Sequence, residues 1–263
     1  MISLLSYNPG FSGDFLSNLI HAGNNEYYQA SLHSDEHNRY TPTYLYDMQS
    51  LKTHSAEWDF NSDTKDEILS AHNNKSLCIT SHKYSRINET SDLVFDQYVR
   101  LFCTDEEYIR IGYAMWFYKS HIGANQPWPS RLKEIDMFPE PHKRSLYDSF
   151  HNWKFMAIKN GIELDLRTYI EKSWNTTYYR AATTILPGYH LLDLKSTIYE
   201  PDKNEIRKIN KILNTNIDIH RIEEYSEKNR QIYKDMQIDD NNFFDSLHEY
   251  ASQHIKEKPI ILA

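Results

Sequence analysis

The apolar residues of the first 20 positions predict a strand, a tight loop and a helix. Residues 2–7 read Ile-Ser-Leu-Leu-Ser-Tyr, which is typical of a short buried strand. A loop that contains Gly10 and Gly13 follows. The apolar residues at positions 15, 16, 19 and 20 then fall on one face of a helix. We therefore expect Tyr7 to end a strand, and the stretch after the second glycine to form the first helical turns.

The same pattern of strand followed by helix recurs along the chain. Short apolar stretches predict further strands at residues 76–81, 93–95, 98–103 and 189–194. Helical periodicity appears at residues 63–71, 108–117, 146–160, 165–174 and 202–213, and in the charged tail from residue 222. Strands that alternate with helices at this spacing indicate an α/β fold with a mainly parallel central sheet.

Local signals fix the start of two of these helices. Thr104 and Glu107 have the spacing of a capping box, with acidic residues in the first helical turn. The aromatic and aliphatic residues that follow, between 108 and 117, are typical of a core-facing helix rather than of a cofactor site. Pro201 precedes the other helix, which we expect to span residues 202–213.

Length and composition set the class of protein. The 263 residues suit one domain, residues 1–263, with a proline-containing helical or irregular insert at about 121–180. A formal charge of −8 argues against a nucleic-acid partner. No apolar stretch approaches the length of a membrane span, and no signal peptide is recognisable, so we expect a cytoplasmic protein without a membrane partner. Cys78 and Cys103 lie in apolar stretches and are expected to be buried reduced thiols, without metal-type spacing.

The loop after the first strand is the strongest candidate for chemistry. A glycine loop that leads into a helix aims backbone N–H groups and the helix dipole at one point, which suits a phosphate or sulfate. The Gly-Lys-Ser/Thr signature of nucleotide hydrolases is absent from this loop. The alternative is an ordinary turn in which Ser12 or Asp14 caps the helix.

Three segments resemble the sulfotransferases that use 3′-phosphoadenosine 5′-phosphosulfate. The first is the loop Pro-Gly-Phe-Ser-Gly-Asp-Phe-Leu at residues 9–16, and the second is the strand end Thr-Ser-His at residues 80–82. The third is a late strand and helix at about residues 185–215, with Pro201 between them. The resemblance implies a three-layer P-loop-type fold. It also implies transfer of a sulfuryl group to a hydroxyl or amine of a small-molecule or glycan acceptor, without a metal.

The resemblance assigns a role to each matched residue. His82 corresponds to the catalytic base, and Lys83 would stabilise the oxygen that leaves the donor. Arg100 and Arg110 are the arginines near the expected 3′-phosphate site. The loop residues that would hold the phosphosulfate are Gly10, Phe11, Ser12, Gly13, Asp14 and Phe15.

Several positions depart from the family pattern and keep other functions open. Phe11 replaces a basic residue, Asp14 and Phe15 replace a Thr-Thr pair, and Cys103 and Ile111 stand where an Arg and a Ser are expected. These departures suggest a non-catalytic interaction protein that retains the fold. A nucleotide or small-molecule kinase is a further alternative, since the same loop suits other phosphates. The sequence leaves the oligomeric state open.

Overall fold

A computed structural model describes residues 1–8, 10–27, 74–81, 95–118, 161 and 165–254. The chain forms two compact units. Unit 1 comprises Met1–Tyr108 and Ala181–Lys228, and unit 2 comprises Ile109–Arg180 and Asn229–Ala263. The helices expected at residues 63–71 and 146–160 lie outside the described residues, as do residues 82, 83 and 121–160. Of the insert expected at about 121–180, residues 161 and 165–180 are described.

Unit 1 is built on a parallel sheet. Its strands are β1 (Ile2–Ser6), β2 (Leu77–Ser81), β3 (Gln97–Phe102) and β4 (His190–Asp193). Their order in the sheet is β2-β1-β3-β4, and all three pairings are parallel. The expected α/β class with a parallel sheet is therefore confirmed. The strand expected at residues 93–95 is wrong at Phe95, which precedes β3 without joining it, while residues 93 and 94 lie outside the described part.

Strand β1 is one of the two inner strands of this sheet. All five of its residues are buried, and it pairs with β2 on one side and with β3 on the other. The carboxylate of Asp96 accepts a hydrogen bond from the Ile2 N–H at 2.7 Å, which fixes the start of the strand. Three of its five residues are apolar, and the other two, Ser3 and Ser6, are equally buried, as expected of a strand that is covered on both faces.

Seven α-helices are described, and they are numbered here in chain order. They are α1 (Gly13–Ala22), α2 (Glu106–Phe117), α3 (Leu166–Ser173), α4 (Tyr179–Thr183), α5 (Lys203–Leu213), α6 (Ile219–Asp235) and α7 (Phe243–His254). Two π-helical turns, Trp174–Tyr178 and Lys195–Tyr199, and a 3₁₀ turn, Asp240–Asn242, accompany them. The expected helices at the start of the chain, at 165–174 and at 202–213 are confirmed. Within the described residues no helix is long and apolar enough to cross a membrane.

The cap of α2 differs from the expected capping box. Asp105, not Thr104, accepts the N–H of Glu107 at 3.2 Å, and the helix begins at Glu106. Both residue types are good caps, but a carboxylate next to the positive end of the helix dipole is favoured further by its charge. The apolar side of the helix is core, as expected: Tyr108, Ile109, Ile111, Met115 and Phe117 are buried.

The core of unit 2 is aromatic. The ring of Tyr113 lies edge-on to Trp174 at 5.3 Å and to Tyr178 at 4.8 Å between centroids. Its hydroxyl donates to the Ile170 carbonyl at 2.8 Å, which supplies the partner that a buried phenol needs. Burial raises the pKa of Tyr113 well above its usual value. The π-helical turn Trp174–Tyr178 carries two of these rings and joins α3 to α4.

Candidate functional site

The order of the strands places a topological switch point between β1 and β3. The chain passes from β1 to β2 on one side and then returns to β3 on the other side of β1. In open parallel sheets the connections diverge at such a switch point, and ligands bind beyond the carboxyl ends of the two strands. Here those ends lead into residues 7–8 and 10–12, the described part of the loop, and into residues 103–105. The candidate site is therefore described from these two segments.

The loop after β1 depends on a left-handed backbone at two positions. Gly10 has φ 87°, and Ser12 has φ 61° with ψ 27°. The Phe11 N–H donates to the Asn8 carbonyl at 3.0 Å, which closes the turn. Only a residue without a β-carbon adopts the conformation of Gly10 without strain. The turn directs the chain from the end of β1 into the start of α1.

The first turn of α1 presents backbone donors at this loop. The Leu16 N–H donates to the Ser12 carbonyl at 3.0 Å, so the N–H groups of residues 13–15 precede the first helical hydrogen bond. Ser12 occupies the N-cap position, but its side chain makes no capping hydrogen bond. The helix dipole adds partial positive charge at the same place. The geometry therefore suits an anion.

Tyr225 on α6 is a residue of this site that the sequence analysis missed. Its hydroxyl donates to Ser12 Oγ at 2.8 Å, and its ring stacks on Phe15 with centroids 3.8 Å apart and planes 9° apart. The partners are 213 residues apart in the chain, and the sequence contains 20 tyrosines. No local signal distinguishes this tyrosine from the others.

Arg100 lies at the same edge of the sheet as the loop. It pairs in register with Ser6, the last residue of β1, and its side chain is fully buried. Its guanidinium donates to Ser6 Oγ at 2.7 Å, to the Ala181 carbonyl at 2.5 Å and to the Thr184 carbonyl at 3.1 Å. A buried guanidinium therefore lies beside the last residue of β1, and it fixes the end of α4 and the residue after it against the sheet.

Arg110 has different surroundings. It belongs to unit 2, where its Nη1 donates to the Asp240 carbonyl at 2.6 Å. Its guanidinium lies 5.6 Å from the ring centroid of Phe243, within the range of a cation–π contact. These contacts indicate that Arg110 has a structural role within unit 2.

The two positions where the resemblance expects phosphate ligands carry uncharged side chains. Cys103 and Ile111 are 0% and 7% exposed. The Cys103 thiol donates to the Asp105 carbonyl at 3.4 Å, and burial raises its pKa to about 12, so it is uncharged at neutral pH. Neither side chain supplies the positive charge or the hydroxyl that would hold a 3′-phosphate.

A charged cluster lies beyond β3 and β4. Lys195 Nζ is 3.6 Å from a carboxylate oxygen of Asp105 and 3.8 Å from one of Glu200. The same ammonium lies 5.0 Å from the ring centroid of Tyr108, whose hydroxyl donates to Glu200. Burial, followed by the adjacent Glu200, raises the pKa of Tyr108. Since Lys195 and both carboxylates are partly exposed, the pairs orient the turn more than they stabilise it.

Of the remaining predicted site residues, some lie in the loop and the first turn of α1, and the others lie outside the described residues. Phe11 is fully buried, Phe15 stacks on Tyr225, and the backbone of Asp14 lies in the first turn of α1. His82 and Lys83 follow Ser81, the last residue of β2, and lie outside the described residues. Their catalytic roles stay predictions.

Comparisons with known proteins add no family to these observations. No family model, no curated protein and no solved structure matches the chain. Among the described residues, no group of three or more His, Cys, Asp or Glu side chains is arranged to hold a metal ion. The site is therefore interpreted from its own geometry.

Proposed function

We propose that the chain binds a phosphate- or sulfate-bearing ligand at the loop between β1 and α1. The observation that carries this proposal is the left-handed Gly10 turn, which delivers the N-terminus of α1 to the β1/β3 switch point. Backbone N–H groups at the start of α1 would bind the anion, and the Ser12 hydroxyl would donate a further hydrogen bond. On this proposal the sheet is the core of a P-loop-type fold.

The finer proposal is sulfuryl transfer to a hydroxyl or amine of a small-molecule or glycan acceptor. It rests on the order of the loop, the Thr-Ser-His strand end and the late strand–helix unit. The donor, 3′-phosphoadenosine 5′-phosphosulfate, would supply the sulfuryl group. His82 would take the acceptor's proton, because a neutral imidazole accepts a proton near pH 7. Lys83 would place positive charge beside the oxygen that leaves.

The described residues fit one end of this donor better than the other. The loop and the start of α1 suit its phosphosulfate. The buried, uncharged Cys103 and Ile111 do not suit its 3′-phosphate. Arg100 is a buried cation beside Ser6, the last residue of β1, and its hydrogen bonds to Ser6, Ala181 and Thr184 hold it there. A donor bound here would need 3′-phosphate contacts from elsewhere in the chain.

Calorimetry with sodium sulfate tests whether the loop binds an anion. Calorimetry with adenosine 3′,5′-bisphosphate tests whether the chain binds the nucleotide part of the donor. Ser12→Asp is the loop variant, because aspartate is a good N-cap but places negative charge where the anion would bind. Ser252→Asp is the matched control, since it makes the same substitution at an exposed position on α7, outside the two segments of the candidate site. Binding that is lost in Ser12→Asp and retained in Ser252→Asp supports the site. Wild-type protein that is folded and binds neither ligand at millimolar concentration rejects it.

The burial of Cys103 and Ile111 favours a second candidate, a non-catalytic interaction protein that retains the fold. Such a protein would bind sulfate at the loop but gain nothing from the adenosine and 3′-phosphate of the larger ligand. Equal affinities for sulfate and for the bisphosphate would therefore favour this candidate. A much tighter bisphosphate complex would favour the transferase.

A further inference from the structure

Ser12 differs from three aspartates that occupy N-cap positions in the described residues. Asp165, Asp202 and Asp239 all have extended backbones, and each side chain accepts a backbone N–H two or three residues later in the chain. This is the usual geometry of an N-cap. Ser12 instead has φ 61° and ψ 27°, and its hydroxyl does not cap α1. Its Oγ is bound to the Tyr225 hydroxyl at 2.8 Å.

The observed state of Ser12 is unfavourable when it is considered locally. A residue with a β-carbon disfavours the left-handed region. The uncapped state also forgoes a hydrogen bond that favours helix N-termini by about fivefold. An extended Ser12 that accepted the N–H of Asp14 or Phe15 would avoid both costs, the left-handed backbone and the missing capping hydrogen bond. A contact from outside the loop must therefore hold it.

Tyr225 is well placed to be that contact. Its ring stacks on Phe15, and the side chain is 7% exposed. The next residue, Ser226, donates to the Tyr199 carbonyl at 2.7 Å and is 1% exposed. Helix α6 is thus anchored at the π-helical turn after β4 while its tyrosine reaches the loop after β1. This anchoring fixes the hydroxyl that holds Ser12.

We propose that Tyr225 is the latch of a conformational switch at the start of α1. With the Tyr225–Ser12 hydrogen bond formed, Ser12 stays left-handed and the first-turn N–H groups remain available. With that bond broken, Ser12 turns, caps α1 with its own hydroxyl and takes up one of those donors. The latch therefore selects between an open and a self-capped helix terminus.

The consequence for ligand binding rests on the proposed function of the loop. An anion at the loop needs the N–H groups that a capping Ser12 would occupy. Breaking the latch therefore lowers affinity by competition within the loop, although Tyr225 need not contact the anion. Residues on α6 would in this way set the affinity of a site that belongs to α1.

Amide hydrogen exchange of Asp14 and Phe15 tests the latch without any ligand. Tyr225→Phe removes the hydroxyl and keeps the ring that stacks on Phe15. Exchange at one of the two amides should slow by about fivefold, because the released Ser12 caps it. In the Ser12→Gly background, which has no capping oxygen, Tyr225→Phe should produce no such slowing. Tyr233→Phe is the control on the same helix, because it removes a tyrosine hydroxyl that donates to the Asp240 carboxylate and not to the loop.

The latch predicts slower amide exchange in Tyr225→Phe, so an exchange rate that rises or stays the same overturns it. Faster or unchanged exchange at both amides in Tyr225→Phe would show that the tyrosine only rigidifies the loop.

A second measurement uses calorimetry with sodium sulfate. Tyr225→Phe should weaken binding about fivefold in the wild-type background and leave it unchanged in Ser12→Gly. If wild-type protein binds no sulfate, the proposed function of the loop fails, while the exchange measurement still decides the latch.

Discussion

The ring of Tyr7 lies against the backbone of Gly13. A β-carbon at position 13 would be 2.0 Å from Cδ1 of Tyr7, far inside the contact distance of two carbon atoms. Gly13 is the first residue of α1, and the tyrosine is 3% exposed. The second glycine of the loop therefore allows the start of the helix to pack on the residue that follows β1.

The contact between Tyr7 and Gly13 predicts a large cost for Gly13→Ala. Alanine is favoured over glycine in a helix by about 1 kcal/mol, but the clash with a buried ring costs roughly 1–3 kcal/mol or more. We expect a net loss of about 2 kcal/mol in the free energy of unfolding, measured by urea denaturation. The loss should shrink when Tyr7→Ala is introduced in the same chain, because the ring is then absent.

Gly188→Ala is the control for that measurement. Gly188 has φ +80°, but a β-carbon there would meet no atom within 4 Å. Its substitution carries only the conformational cost, about 1 kcal/mol. Equal losses for Gly13→Ala and Gly188→Ala would contradict the packing role of Gly13.

A second prediction concerns Arg100. Lysine at this position retains the charge but cannot reach Ser6, Ala181 and Thr184 together, because an ammonium lacks the planar fork of a guanidinium. Buried carbonyls left without donors cost about 1–3 kcal/mol each. We expect Arg100→Lys to lower the free energy of unfolding by about 3 kcal/mol. Arg110→Lys, measured in the same denaturation series, should lower it by less than about 1 kcal/mol. Equal effects would contradict the difference in their surroundings.

A third prediction concerns His21, which joins α1 to β2. Its Nε2 accepts the Cys78 N–H at 3.0 Å, and the ring is 5% exposed. His21→Phe keeps an aromatic ring but removes the acceptor, which should cost about 1–3 kcal/mol in thermal or urea unfolding. His190→Phe is the control, since His190 is exposed and contacts the Gln97 side chain at 3.1 Å. If both variants were as stable as wild type, the His21 hydrogen bond would contribute nothing.

A fourth prediction concerns the reactivity of the two thiols. Burial raises the pKa of Cys78 and of Cys103 from 9.0 to about 12. At pH 8 the thiolate fraction is therefore lower by about 10³-fold than in the unfolded chain, and alkylation by iodoacetamide should slow accordingly. Mass spectrometry should detect labelling of both cysteines in urea and negligible labelling without it. Rapid labelling of the folded protein would contradict the burial of these side chains.

The raised pKa values of the two thiols also predict how the free energy of unfolding changes at alkaline pH. Below pH 9 the thiols are protonated in both states and contribute no pH dependence. Above pH 9 the unfolded chain releases its thiol protons while the folded chain keeps them up to about pH 12. The folded state then binds more protons, so the free energy of unfolding falls as pH rises between these values. Cys78→Ala should reduce this slope when denaturation is followed from pH 8 to pH 10.

Much of the local structure could be predicted from the sequence. The apolar residues of β1 and the helical spacing after Gly13 located that strand and helix to within one or two residues. Pro201 and Asp202 marked the start of α5, where Asp202 accepts the N–H groups of Asn204 and Glu205. These signals are local, because capping and periodic burial involve residues a few positions apart. Where two neighbouring residues were equally good caps, as Thr104 and Asp105 were, the sequence did not distinguish them.

The candidate site was decided by tertiary structure. Its loop was visible in the sequence, but the position of that loop at the β1/β3 switch point follows from the strand order β2-β1-β3-β4. The Tyr225–Ser12 hydrogen bond joins residues 213 positions apart, and the contacts of Arg100 with Ala181 and Thr184 join residues more than 80 apart. A pattern of apolar and polar residues records which side of an element is buried. It does not record which distant element covers that side, and only the packed chain supplies that information.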